Sequence, residues 1–112
     1  MKLNSNIDIV VAGAVNIDIN LFVDKHPRIG EEVPVHRITR IPGGKGANIA
    51  VAAARITGGG RVALLASLGM DSIGDMQIQV LREEGVSTEA VKRIRDVESG
   101  QAYIVIDRDG RN

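Results

Sequence analysis

At 112 residues the chain forms one domain at most, long enough to bury roughly two thirds of the surface that its unfolded form exposes. Its 14 basic residues balance 14 acidic ones without a basic block, and Phe22 and Tyr103 are its only aromatic residues, so nothing favours nucleic acid or an anionic membrane surface. The absence of cysteine excludes disulfides and thiolate zinc sites; the stretch Met1-Lys2-Leu3-Asn4-Ser5-Asn6 lacks a signal core, and no apolar run approaches the roughly 18 to 20 residues that span a bilayer, so a soluble cytoplasmic protein is expected.

The first element is a near-continuous apolar run from Ile7 to Ala14, of the kind found in parallel sheets covered on both faces, which predicts a central strand. Extended structure continues from Ile17 to Val23 and ends at the turn residues His26-Pro27-Arg28-Ile29-Gly30. Residues Val33 to Ile41 alternate Val33, Val35 and Ile41 with Arg37 and Thr39, too polar for a deep core, which suits a small outlying sheet. Pro42 disfavours helical geometry at Ile41, and after the glycine pair the alanine-rich segment Ala47 to Ile56 predicts a helix apolar nearly all round and therefore buried.

Gly58-Gly59-Gly60 stops that helix, and Val62 to Ser67 supplies another apolar strand, completing a strand–helix–strand crossover of the α/β type. Asp71 or Ser72 can cap a following helix whose Ile73, Met76, Val80 and Leu81 recur at helical spacing before Gly85. Val91 to Ile94 is weakly strand-like. Gln101 to Asp107 predicts a last strand leading into the turn signal Arg108-Asp109-Gly110. A returning strand is expected after Asn112, which argues for a fragment or a split gene.

The chemistry concentrates in Gly43-Gly44-Lys45-Gly46-Ala47-Asn48. Two glycines let a backbone approach a ligand where a Cβ would collide, and the helix behind them turns unpaired N–H groups toward it. About thirty residues earlier, Asn16 and Asp18 stand two apart on an extended segment, so both side chains reach the same face and can grip neighbouring hydroxyls. Lys45 can donate to a hydroxyl or share a phosphate's charge; Asn48 can face the ligand, bond locally at the helix start, or do both. An unpaired carboxylate at Asp18 on an apolar strand is costly unless hydroxyls or N–H donors meet it. The nucleotide P-loop is excluded because Gly46 follows Lys45 and Thr39 holds the position of its first glycine; the dinucleotide fingerprint fails because Gly13-Ala14-Val15-Asn16 lacks the second glycine.

Val11 to Asp18, the Gly43 to Asn48 run with its alanine helix, and Asp71-Ser72-Ile73-Gly74-Asp75 together resemble the N-terminal part of the ribokinase-like, phosphofructokinase-B type carbohydrate kinases. The resemblance covers nearly the whole of residues 1–112 and implies an α/β three-layer sandwich, in its N-terminal portion, with a small β lid from strands near 17–23, 33–41 and 101–107. It implies that Asn16, Asp18, Gly43, Gly44, Lys45 and Asn48 bind a sugar, with Ala102 and Ile104 as weak lid candidates. The activity implied is ATP-dependent phosphorylation of a primary hydroxyl of a furanose such as ribose, with Mg2+, a possible monovalent cation, and a homodimer formed through the lid sheet.

The family's catalytic aspartate lies in a downstream Gly-Ala-Gly-Asp segment that does not occur before Asn112. No catalytic residue is therefore assigned, the ATP-binding half is expected to be missing, and the chain alone is expected to be inactive. Two alternatives stay open: a non-catalytic sugar-binding or dimerisation module, and a nucleoside kinase of the same family. No metal site is expected at His26 and His36, and Asp107 and Asp109 are expected to serve a turn.

Overall fold

A computed structural model describes Leu3 and residues 6–112. Met1, Lys2, Asn4 and Ser5, part of the stretch expected to lack a signal core, lie outside the described residues. The chain divides into two compact units, residues 1–16 with 42–100 and residues 17–41 with 101–112.

The first unit is a parallel α/β layer. Strand β1 (Ile9–Ala12), β4 (Val62–Gly69) and β5 (Val86–Ser87) lie in that order, and β6 (Val91–Ile94) also pairs with β4; all three partners run parallel to β4. Helix α1 (Lys45–Thr57) joins the β1 side of the chain to β4, and α2 (Ser72–Glu83) follows β4. Val62, Leu64 and Leu68 of β4 form a buried cluster with Ala47, Ala50 and Ala54 of α1 and Leu81 of α2. The alanines fall at helical spacing and their small side chains let α1 seat closely on the sheet.

Two expectations are corrected here. The run beginning at Ile7 is not the central strand among the described residues: β4 takes the centre and β1 lies at an edge, with Val10 51% exposed. Apolar composition reports burial tendency, whereas strand order is set by which crossover returns beside which strand. Nor is α1 buried all round, because Ile49 is 58% and Ile56 85% exposed. A single alanine stripe meets the sheet, and the isoleucines fall off it.

The second unit centres on a three-stranded sheet, ordered β3-β2-β7, built from β2 (Asn16–Val23), β3 (Val35–Gly43) and β7 (Gly100–Ile106). β3 runs on through Pro42, beyond the expected end at Ile41; it is an edge strand, where a residue without an N–H is tolerated. After β7 the chain turns as expected: Gly110 adopts φ 76° and donates to the Asp107 carbonyl at 3.0 Å. The buried Asp107 carboxylate accepts from the N–H groups of Asp109 and Arg111 and from the Arg111 guanidinium. Burial pushes the Asp107 carboxyl up, but these donors outweigh it and hold the group below its ordinary value. His36 pairs with Asp24 at 2.9 Å, and among the described residues no three of His, Asp and Glu converge as a metal site would require.

Candidate functional site

Beyond Ala12 the chain leaves β1 through Gly13-Ala14-Val15, and this short segment supports the start of α1. Ala47 N–H donates to the Ala14 carbonyl at 3.2 Å, while Asn48 N–H closes the first helical bond to Gly44 O at 2.9 Å. The N–H groups of Lys45, Gly46 and Ala47 have no intrahelical acceptor, and that of Ala47 is the one met by Ala14. No side chain caps this helix start. The helix dipole adds partial positive charge at the same place, so an electron-rich oxygen is the complementary group.

The glycines have a different first duty from the one expected. A Cβ on Gly44, whose φ is +97°, would lie 2.9 Å from Val15 Cα, and one on Gly46 would lie 2.7 Å from Gly13 Cα and 2.8 Å from Ala14 N. Both residues clear the chain's own backbone, which sets the strand end directly against the helix start. Gly43 is buried as the last residue of β3. Lys45 and Asn48 are exposed, and Asn48 lines a groove of about 370 Å³ between α1 and α2 together with Arg55, Gln77 and Glu84.

Asn16 follows Val15 and opens β2. Its carbonyl accepts from Gln77 Nε2 of α2 at 2.8 Å, and its Cβ lies 3.4 Å from where a side chain on Gly100 would begin. Gln77 is 1% exposed, a polar residue on the buried face of α2 that apolar periodicity had passed over. Its signal in the sequence was its position, three after Gly74 and four before Leu81 on the same stripe. Along β2, Asn16, Asp18 and Asn20 are half-buried and alternate with buried Ile17 and Ile19. Asn16 and Asp18 each make an interaction inside the chain, so the cost of an unpaired carboxylate at Asp18 is removed as an argument for a ligand.

The structure thus brings Asn16, Gly44 and the Lys45 turn together in the first unit. Asp18, Ala102 and Ile104 belong to the second.

The Asp71 to Asp75 segment is a structural joint. Asp71 caps α2, accepting from Gly74 N–H at 2.7 Å, and also receives the Ser99 N–H and hydroxyl, each at 2.7 Å. The Ser99 backbone bond first, then the Ser99 hydroxyl and Gly74, hold its carboxyl below the ordinary range. Arg93 ties the same corner by donating to the Gly69 carbonyl at 2.9 Å. Three donors on its two carboxylate oxygens make Asp71 the tie between the start of α2 and Ser99.

Residues 6–112 match the model of the pfkB family carbohydrate kinases. The chain belongs to that family. It is 38% identical over 99 residues to the ribokinase of Bacillus subtilis, covering 88% of this chain and 33% of that protein. Among solved structures, the ribokinase of Cryptococcus neoformans in complex with ADP superimposes with TM-score 0.81 at 38% identity, over 93% of this chain and 32% of that one. Arabidopsis thaliana ribokinase complexed with ribose and ATP gives TM-score 0.82 at 28% identity, over 93% and 33%. The chain therefore spans about a third of the length of these relatives, and its α/β architecture is that of ribokinase-fold kinases.

Proposed function

We propose that this chain supplies the sugar-binding portion of an ATP-dependent carbohydrate kinase of ribokinase type, which phosphorylates a primary hydroxyl of a furanose. The observation that carries the proposal is the seating of Gly44 and Gly46 on Ala14, Val15 and Gly13, which puts the Asn16 strand end beside an uncapped helix start in a chain of this family. A sugar hydroxyl can accept from the N–H groups there while the Asn16 amide or the Lys45 ammonium meets its neighbours. Asp18, Gly43 and Asn48 complete the sugar-binding set in this reading. The β3-β2-β7 sheet serves as lid, with Ala102 and Ile104 on its β7 strand, and as the surface through which two copies pair.

Holding the sugar in one orientation lowers the entropic part of the barrier, and a lid excludes water that would otherwise take the phosphoryl group. ATP and Mg2+ are assigned mainly to residues outside this chain, as are any monovalent cation and the catalytic aspartate. A cytoplasmic location goes with this assignment, since the cytoplasm supplies ATP.

Amide NMR of the chain during titration with ribose tests the proposal. Ribose is expected to move the resonances of Asn16, Gly44, Lys45 and Asn48; Asp18→Ala abolishes the response and Lys45→Ala weakens it less. If ribose leaves all four amides unmoved, the sugar site is not here. Incubation with ATP and ribose is expected to give no sugar phosphate, and turnover by the 112-residue chain would place the base within it.

A further inference from the structure

Helix α2 holds Asn16 in two ways. Gln77 Nε2 donates directly to the Asn16 carbonyl at 2.8 Å. Less directly, Gly100 lies alongside, where a Cβ would come within 3.4 Å of Asn16 Cβ and 3.5 Å of Val15 O. Gly100 is placed by its neighbour Ser99, whose N–H and hydroxyl both bond the Asp71 cap of the same helix at 2.7 Å. Asp71 and Gln77 are separated by about 9 Å of helix axis, so one rigid element carries both restraints.

Packing alone does not call for an amide at position 77. The residue is 1% exposed and shares a stripe with buried Gly74 and Leu81, and an amide taken out of water there is unfavourable unless its polar atoms are met. The Asn16 carbonyl meets its N–H group, and the same side chain lines the groove between α1 and α2 beside Asn48. On the α1 side, Val15 lies so close to Gly44 that a Cβ there would fall 2.9 Å from Val15 Cα. The start of β2 is thus fixed by backbone contact with α1 and by a side-chain donor from α2.

We infer that Gln77 is a positioning residue for the sugar: its bond fixes the Asn16 peptide, and with it the direction of the Asn16 side chain, before ligand arrives. This rests on the proposed sugar-binding reading and adds to it a residue that acts through Asn16. Ordering completed in the free chain is ordering that binding does not have to supply. Linkage makes the relation reciprocal: the factor by which the bond strengthens sugar binding is the factor by which bound sugar strengthens the bond.

Ribose titrations followed by amide NMR, on the 112-residue chain and its variants, supply the test. Gln77→Met keeps the reach of the side chain without the donor and is expected to weaken ribose binding about tenfold. Gln77→Glu makes the effect titratable. Its neutral carboxyl donates O–H to the Asn16 carbonyl, and burial favours that form by raising the pKa above the ordinary value of about 4.3; the ionised carboxylate has no proton to give and repels the carbonyl. Relative to the parent at each pH, its ribose affinity is expected to be near equal at about pH 5 and to fall to that of Gln77→Met by about pH 8. Gln79→Glu, at an exposed position of the same helix, is the control and shows no such profile. The unmutated chain gives a reading that needs no substitution: saturating ribose is expected to slow hydrogen exchange of the Gln77 side-chain amide about tenfold, and this carries the measurement if circular dichroism shows a variant unfolded. Equal ribose affinity across the parent and both Gln77 variants, or a Gln77 amide indifferent to ribose, overturns the positioning role and leaves the sugar site standing. Ribose that moves no amide of the unmutated chain overturns both, and that titration, run first, tells the two failures apart.

Discussion

Gly46→Ala isolates the contact on which the candidate site is built. The new methyl would lie 2.7 Å from Gly13 Cα and 2.8 Å from Ala14 N, against backbone that has no rotamer to change. Relief requires α1 to withdraw from the 13–15 segment, which stretches the 3.2 Å bond from Ala47 N–H to the Ala14 carbonyl. Overpacking of this kind costs about 1 to 3 kcal/mol. Loss of the hydrogen bond adds roughly 1 kcal/mol, and the better helix propensity of alanine returns up to about 1 kcal/mol. The net expectation is a loss of about 2 kcal/mol, read as a lower urea midpoint at unchanged slope, or as a melting temperature lowered by roughly 10 °C for a chain of this size. Gly59→Ala is the matched control, since its Cβ would find only Gly85 Cα at an ordinary 3.5 Å. A Gly46→Ala protein within about 0.5 kcal/mol of the parent would show that the helix start is not held against Gly13, and the geometric case for the site would go with it.

Three further outcomes follow from the same structure. Gln77→Leu removes the donor to the Asn16 carbonyl and is expected to cost about 1 to 3 kcal/mol by urea unfolding; equal or greater stability would show that this bond does not restrain the strand end. Asp71→Ala should cost about 1 kcal/mol or more at neutral pH. Because the folded carboxyl titrates below its unfolded value of about 3.9, that difference is complete above this pH and shrinks as acid protonates the native group; a gap that instead widens on acidification would contradict the assignment. Ile56→Lys, at an 85% exposed position of α1, should shift stability by less than about 0.5 kcal/mol, whereas Ala50→Leu, at a position with no exposure, should cost about 1 to 3 kcal/mol; thermal melts of the pair check which face of α1 meets the sheet.

Much of the architecture was legible because it rests on local chemistry. The apolar strand at 62–67, the cap at Asp71 and the turn at 108–110 each appear where side-chain type and spacing put them. Strand order was not legible, since neither β1 nor β4 encodes which of them has neighbours on both edges. The backbone packing of the glycine run was not legible: a bare backbone reads the same in one dimension whether it makes way for a ligand or for Gly13 and Val15. Gln77 was missed because an amide amid apolar spacing reads as a surface residue until a carbonyl 61 positions away along the chain is found to need it.

The meeting of Gly13 with Gly46 leaves a protein engineer no room for exchange. Where two side chains interlock, one can be enlarged if the other is trimmed, but here neither partner has an atom left to give up. A library randomised at both positions would therefore return glycine twice among its folded members, and tolerated variety would have to be sought at the exposed neighbours Lys45 and Asn48.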